Sequence, residues 1–154
     1  MATLEPGDAA PAFSLKDQAG ATVRLADFTG RKLLVYFYPK AGTSGCTKQA
    51  CAVRDAEADL AKVGTAAVGI SPDAPEKQQR FDDAHTLGFP LLSDPDHAVA
   101  KAWGAWGEKT LYGKTHLGII RSAFLVDETG AIQAAWYKVK PADTVANVLD
   151  ALGR

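Results

Sequence analysis

Lys32-Leu-Leu-Val-Tyr-Phe-Tyr-Pro-Lys-Ala-Gly-Thr-Ser-Gly-Cys-Thr-Lys-Gln-Ala-Cys51 decides the architecture of this chain. Its first seven residues form a continuous apolar and aromatic run with no polar alternation. That pattern fits a central strand covered on both faces. Pro39 has no N–H for further pairing and ends the strand. Residues 41–45 are a loop of small residues, and 46–63 reads as a helix. Along it Ala50, Val53, Glu57 and Leu60 or Ala61 recur at near-helical spacing, with Arg54, Asp55, Asp59 and Lys62 elsewhere around the axis.

Working outward, residues 6–11 form a short Pro/Gly-rich arm. Residues 13–15 and 22–24 flank the turn cluster 17–20 as a small hairpin. Downstream, 65–71 is a strand and 76–85 a helix started by Pro75. Residues 90–92 form a short strand, and Asp94-Pro95 opens a helix to about Trp103. The stretch 104–117 has scattered glycines and no period, so it reads as loop. Residues 119–126 form a strand, 127–130 a turn and 131–136 a last strand. The segment 143–152 is an amphipathic helix with Val145, Val148, Leu149 and Leu152 inward. Strands alternating with helices, then a hairpin plus helix, imply an α/β fold: a mixed central β-sheet flanked by helices. No repeat, low-complexity tract or dividing linker interrupts the 154 residues, so one domain over 1–154 is expected.

Charge and composition narrow the function classes. Apolar residues make up 47% and charged residues 23%, a globular balance. The net charge is -1 and no Lys/Arg block stands out, which gives no electrostatic case for nucleic acid or an anionic membrane. The longest apolar run, 33–38, is too short to span a bilayer. Residues 1–12 have neither a basic start nor an apolar stretch, so no secretory leader is expected and the cytoplasm is the expected compartment. Thiols are kept reduced there. The two cysteines, Cys46 and Cys51, therefore read as chemistry rather than stapling. His85, His97 and His116 match no zinc spacing. The glycines make no phosphate-binding fingerprint, so neither a metal nor an organic cofactor is expected. Trp103, Trp106, Tyr112 and Tyr137 read as packing residues and a mobile rim.

Cys46 falls in the first turn of a helix that follows a buried strand. Free N–H groups and the positive end of the helix dipole gather there and favour a thiolate, the nucleophilic form. A buried, inert thiol is the competing reading. Gly42, Gly45 and Thr43 count against it, because they make a poor apolar pocket and let backbone approach a ligand. If both cysteines are helical, their Cα atoms lie ~8.7 Å apart and point ~140° apart around the axis. A disulfide needs Cα atoms within about 7 Å. Cys46 and Cys51 can therefore bond only if the first turns unwind; otherwise Cys51 is a small core residue. Arg121 stands in an apolar strand, where a charge is out of place unless it faces something. The alternative is a solvated strand edge. At ~4 Å and an effective dielectric of ~20, an arginine gives a thiolate roughly 4 kcal/mol. A helix terminus gives about 0.3–1 kcal/mol, up to ~2 in partly buried sites. The Thr43 hydroxyl can hold a substrate or cap the helix.

Pro39, Thr43 and Cys46 resemble the peroxiredoxin motif Pro-x-x-x-Thr-x-x-Cys. Cys51, five positions on, resembles the second cysteine of the PrxQ, or bacterioferritin-comigratory-protein, subfamily. The similarity covers nearly the whole chain, through Phe13-Ser-Leu, Tyr36-Phe-Tyr-Pro-Lys, Gly69-Ile-Ser, Leu91-Leu-Ser-Asp, Trp106-Gly-Glu-Lys and Tyr112-Gly-Lys. Two positions depart from it. Ser44 stands where the family often has proline, which leaves the loop looser. Ala123 stands where it often has threonine. The resemblance implies a thioredoxin-like fold with an N-terminal β-hairpin extension. It also implies a thiol peroxidase that reduces hydrogen peroxide and organic hydroperoxides. Cys46 would be the peroxidatic nucleophile and Cys51 the resolving thiol, closing a Cys46–Cys51 disulfide. Arg121 would activate the sulfur, Thr43 would hold the peroxide oxygens and Pro39 would shield the thiolate. Thioredoxin would be the reductant and the protein a monomer. Two other functions compete. A thiol–disulfide oxidoreductase normally carries C-x-x-C. A non-enzymatic redox sensor or structural thioredoxin-fold module would react with peroxide no faster than a free thiol.

Overall fold

The computed structural model describes residues 3–153. Met1, Ala2 and Arg154, part of the expected 1–154 domain, lie outside the described residues. Strand β3 (Lys32–Phe37) is the apolar run, and Tyr38 extends it by donating its N–H to Ile70 O at 3.0 Å. The missing polar alternation follows from its surroundings. Leu34, Tyr36 and Tyr38 face one apolar cluster, while Leu33, Val35 and Phe37 face another with Phe13, Trp103 and Phe124. Each face of the strand is sealed by a different layer.

The central sheet has seven strands in the order β2-β1-β5-β4-β3-β8-β9. They are β1 (Ser14–Lys16), β2 (Thr22–Arg24), β4 (Thr65–Ser71), β5 (Leu91–Ser93), β8 (Ser122–Val126) and β9 (Ile132–Trp136) around β3. Strands β3, β4 and β5 are parallel, whereas β8 is antiparallel to β3 and β9 to β8. The β1–β2 hairpin adds antiparallel to β5 through Lys16 and Ser93, so the N-terminal extension covers one sheet edge. Helices α1 (Ser44–Lys62), α2 (Pro75–His85) and α4 (Thr144–Ala151) contribute to the first cluster through Val53, Phe81 and Val148. Helix α3 (Ala98–Ala102) contributes Ala100 to the second. This is the mixed, helix-flanked sheet that the pattern implied, in the thioredoxin-like arrangement that the resemblance implied.

Several local readings need correction. Residues 104–117 are not loop throughout: β6 (Trp106–Leu111) and β7 (Lys114–Ile119) form an antiparallel hairpin of their own. Residues 114–117 are all exposed, so no buried face imposes a period. Tyr112 and Gly113 turn the chain at φ 53° and 77°, as two-residue hairpin turns require. The strand expected over 119–126 is broken. Ile119 ends β7, Ser122 starts β8, and Ile120-Arg121 between them is held by Ile120 N–H to Ala105 O and Val139 N–H to Arg121 O. The helix expected from Asp94 covers only 98–102, because the Asp94 carboxylate instead accepts the Val99 and Ala100 N–H groups. Glu57 is exposed, and Ala56 takes the inward place assigned to it. Helix α2 stops at Thr86, which adopts a left-handed φ of 49°.

Candidate active site

The C-terminal end of β3 delivers the chain to the site. Phe37 pairs with Ser122 in the antiparallel β3–β8 ladder. The residue before Ser122, Arg121, thus reaches the point where the chain leaves β3 for α1. Residues 39–43 make the crossing, and Thr43 takes the N-cap position of α1 with extended φ and ψ. The first helical bond runs from Thr47 N–H to Thr43 O at 2.9 Å. Cys46, third residue of α1, therefore lies within the turn whose N–H groups precede the regular ladder.

Cys46 is 1% exposed. Arg121 Nη2 donates to Cys46 Sγ at 3.4 Å. At that separation and an effective dielectric of ~20, a guanidinium attracts a thiolate by roughly 5 kcal/mol, before solvent screening of this part-buried pair. Gly45 eases the approach: a Cβ there would stand 3.2 Å from Arg121 Nη2 and 3.6 Å from Pro141 Cγ, so the guanidinium would have to give by a few tenths of an ångström. Arg121 has a second anchor, since its Nη1 donates to Gln49 Oε1 at 2.7 Å. Gln49 Nε2 donates to Thr144 Oγ1 at 2.9 Å, and Thr144 Oγ1–H donates to Lys140 O at 3.3 Å. Gln49 and Thr144 are fully buried. A planar fork held at both ends has little freedom to swing away from the sulfur.

Of the remaining expected residues, Pro39 shares a pocket with Arg121. Pro39, Lys109, Ile120, Arg121, Lys138 and Val139 line an open pocket of about 500 Å³. The Thr43 hydroxyl is exposed and donates to Lys40 O at 2.8 Å, so it does not cap α1. Its lone pairs remain able to accept a bond from a bound molecule. Cys51 is half-buried against the core, further along the unbroken helix α1, and both cysteines are free thiols. Burial pushes the Lys109 ammonium below its ordinary pKa; the Arg121 charge acts in the same direction and Cys46 opposes both. Burial likewise raises Tyr36 and Tyr38, which lie beneath the cysteine helix as neutral phenols.

Sequence reasoning missed Gln49, Thr144 and Lys109. Gln49 carried a usable signal, a polar residue one turn from Cys46 on a helix face otherwise made of Ala50 and Val53. Lys109 carried none, because its strand had not been recognised. Among the described residues no three His, Cys, Asp or Glu side chains converge on a possible metal position. Nor is any described helix long and apolar enough to cross a membrane.

Comparison with known proteins shows the family to which the chain is similar. The AhpC/TSA family model matches residues 6–135. Peroxiredoxin Bcp of Escherichia coli K12 is 53% identical over 133 residues, 86% of this chain and 85% of that protein. Peroxiredoxin Bcp of Bacillus subtilis 168 is 43% identical over 150 residues, 97% of this chain and 96% of that protein. The bacterioferritin comigratory protein of Xanthomonas campestris, in a structure addressing its alkyl peroxide reduction activity, superposes with a TM-score of 0.86. It is 35% identical, over 92% of this chain and 90% of that one.

Proposed function

The chain belongs to the AhpC/TSA family of peroxiredoxins, in its PrxQ/Bcp branch, and we propose that it is a two-cysteine, thioredoxin-recycled hydroperoxide reductase working through Cys46 and Cys51. The observation that carries this reading is the 3.4 Å contact between Arg121 Nη2 and Cys46 Sγ beside an open pocket.

In the first step the Cys46 thiolate attacks the terminal oxygen of a hydroperoxide. The S–O bond forms as the O–O bond breaks, and the departing oxygen takes a proton to leave as water or an alcohol. Arg121 stabilises negative charge moving from sulfur to oxygen, and Thr43 accepts the peroxide proton in hydrogen bonding. Pro39 and Val139 keep bulk water off the sulfur. Cys46 is then a sulfenic acid. In the second step the Cys51 sulfur attacks Cys46, an S–S bond replaces the S–O bond, and water leaves. Closure requires the first turns of α1 to unwind, because five helical positions separate the sulfurs by too much distance and angle. In the third step a thioredoxin dithiol reduces the disulfide by exchange and is itself oxidised. Sulfur carries both electrons throughout. The 35%-identical Xanthomonas protein supports alkyl hydroperoxides as substrates. The chain acts in this reading as one domain and one monomer, in the cytoplasm.

Stopped-flow oxidation of the reduced protein by hydrogen peroxide and an alkyl hydroperoxide tests the proposal. Wild type is expected to react orders of magnitude faster than a free thiol, and Cys46→Ser not at all. A wild-type rate equal to that of a free thiol would return the protein to the sensor or structural reading.

A further inference from the structure

The loop that hands the chain from β3 to α1 is tied down by a carboxylate with no part in the cycle above. Asp73 lies between β4 and α2. Its Oδ2 accepts hydrogen bonds from Ala41 N–H at 2.7 Å and from Ser71 Oγ–H at 2.8 Å. Its Oδ1 stands 3.3 Å from Lys77 Nζ, and the side chain is 8% exposed. Ser71 Oγ accepts from Gln78 Nε2 at 2.8 Å, and Gln78 Oε1 accepts from the Tyr38 hydroxyl. The network thus starts and ends on the same short stretch of chain, at Tyr38 and Ala41. Ser71 and Gln78 are fully buried. Buried networks with every member bonded hold one geometry, and a charged member strengthens them.

We propose that Asp73 is a positioning residue, a latch that keeps the loop before Cys46 closed and sets how often α1 opens from its N-terminal end. The latch rests on the two-cysteine cycle for its purpose, though not for its existence. Gly42, at φ 86°, lies directly after the pinned residue and serves as the pivot. While Ala41 N–H is held, the entry to α1 is fixed and Cys46 stays beneath Arg121. When that bond is lost, the chain beyond Gly42 can swing and the first turn of α1 frays, as helix ends do at low cost. A tight latch favours the peroxide step, which needs Cys46 against Arg121. A loose one favours disulfide closure, which needs Cys46 out of the helix. Its strength therefore also sets how long a sulfenic acid waits within reach of a second peroxide.

The test uses the whole protein in a Cys51→Ser background, with Asp73, Asp73→Ala or Asp73→Asn. Because Cys46 is buried, alkylation by a bulky maleimide reports opening of the loop. Asp73→Ala is expected to raise that rate about tenfold, the scale for losing one charge-assisted hydrogen bond. Asp73→Asn keeps an acceptor for Ala41 N–H and is expected to fall between. Equal rates in folded proteins overturn the latch. A merely structural Asp73 would lower the midpoint of global unfolding and leave native-state alkylation unchanged, which also overturns it. Should Asp73→Ala fail to fold, Lys77→Met, which frees Oδ1, is expected to accelerate alkylation about two- to threefold; no acceleration there counts against the latch. In the protein with both cysteines, the closure phase that follows oxidation by peroxide, its rate independent of peroxide concentration, should quicken in parallel. If wild type shows no such phase, the resolving role of Cys51 fails, and the alkylation result alone decides the latch.

Discussion

Gln49 Oε1 holds Arg121 Nη1 at 2.7 Å, one helical turn beyond Cys46. Gln49→Leu removes that hold, leaves part of the guanidinium without its partner and takes from the Thr144 hydroxyl the donor it accepts from. It is expected to lower the second-order rate with hydrogen peroxide about tenfold and folding stability by about 1–3 kcal/mol. Stopped-flow kinetics and urea unfolding read the two effects. Thr144→Val touches Gln49 but not Arg121, so its rate loss is expected to be smaller.

Arg121→Ala deletes the guanidinium that donates to the Cys46 sulfur. Removing one such donor from an active site costs about 10²–10³ in rate, and a loss of that size is expected in the peroxide step. Arg121→Lys keeps the charge but not the fork, so it cannot serve Cys46 and Gln49 together. Its rate should fall at least about tenfold, with the disulfide-closure phase little changed.

Oxidation is expected to cost helix. Cys46 and Cys51 share the unbroken helix α1, so a disulfide between them cannot form without unwinding. Far-UV circular dichroism of wild type should lose the signal of about five to seven helical residues on stoichiometric peroxide. The same addition to Cys51→Ser should change nothing. An unchanged spectrum in a wild type shown by mass to carry the disulfide would contradict the geometry.

What could be read in advance, and what could not, has a physical boundary. Strand β3 was legible because both its faces are sealed, leaving an unbroken apolar run. Helix α1 was legible from its glycine-rich entry and buried stripe. The β6–β7 hairpin was not, since residues 114–117 expose both faces and write no period into the sequence. Cys46 could be named from its local pattern and Arg121 chiefly from the family resemblance, and they do meet. Their brace could not be foreseen. Gln49 and Thr144 are 95 residues apart, and only the packing of α4 against α1 makes them partners. Asp73 was invisible for the same reason: its target is a backbone N–H on another loop, which no side-chain pattern marks.

Acid stability is expected to depend on Asp127, which shapes the β8–β9 turn. The Thr129 hydroxyl and the Ala131 and Thr129 N–H groups donate to its carboxylate and hold its pKa below the ordinary value. A depressed carboxylate contributes stability fully above its unfolded pKa of about 4 and loses it as pH falls through the folded value. The stability gap between wild type and Asp127→Asn should therefore narrow on acidification from pH 7 to pH 3. Urea unfolding at the two pH values checks this, and a gap that widens in acid would refute it.

Thr86 ends α2 in the left-handed region, at φ 49°, on an exposed β-branched residue. Such a conformation costs an L-residue about 1–2 kcal/mol that glycine avoids. Thr86→Gly should stabilise the fold by about 1 kcal/mol, somewhat reduced by glycine's freedom in the unfolded chain. The urea midpoint should rise with an unchanged slope.

The contact between Cys46 and Arg121 spans 75 residues, and the brace from Gln49 to Thr144 spans 95. Synthesis runs in one direction, so the sulfur leaves the ribosome well before its guanidinium and before the helix that steadies it. A nascent chain thus presents Cys46 before the residue that bonds its sulfur has been made. A chain that ends before Arg121 holds Cys46 with no guanidinium to meet it, and one that ends before Thr144 lacks the hydroxyl that Gln49 bonds.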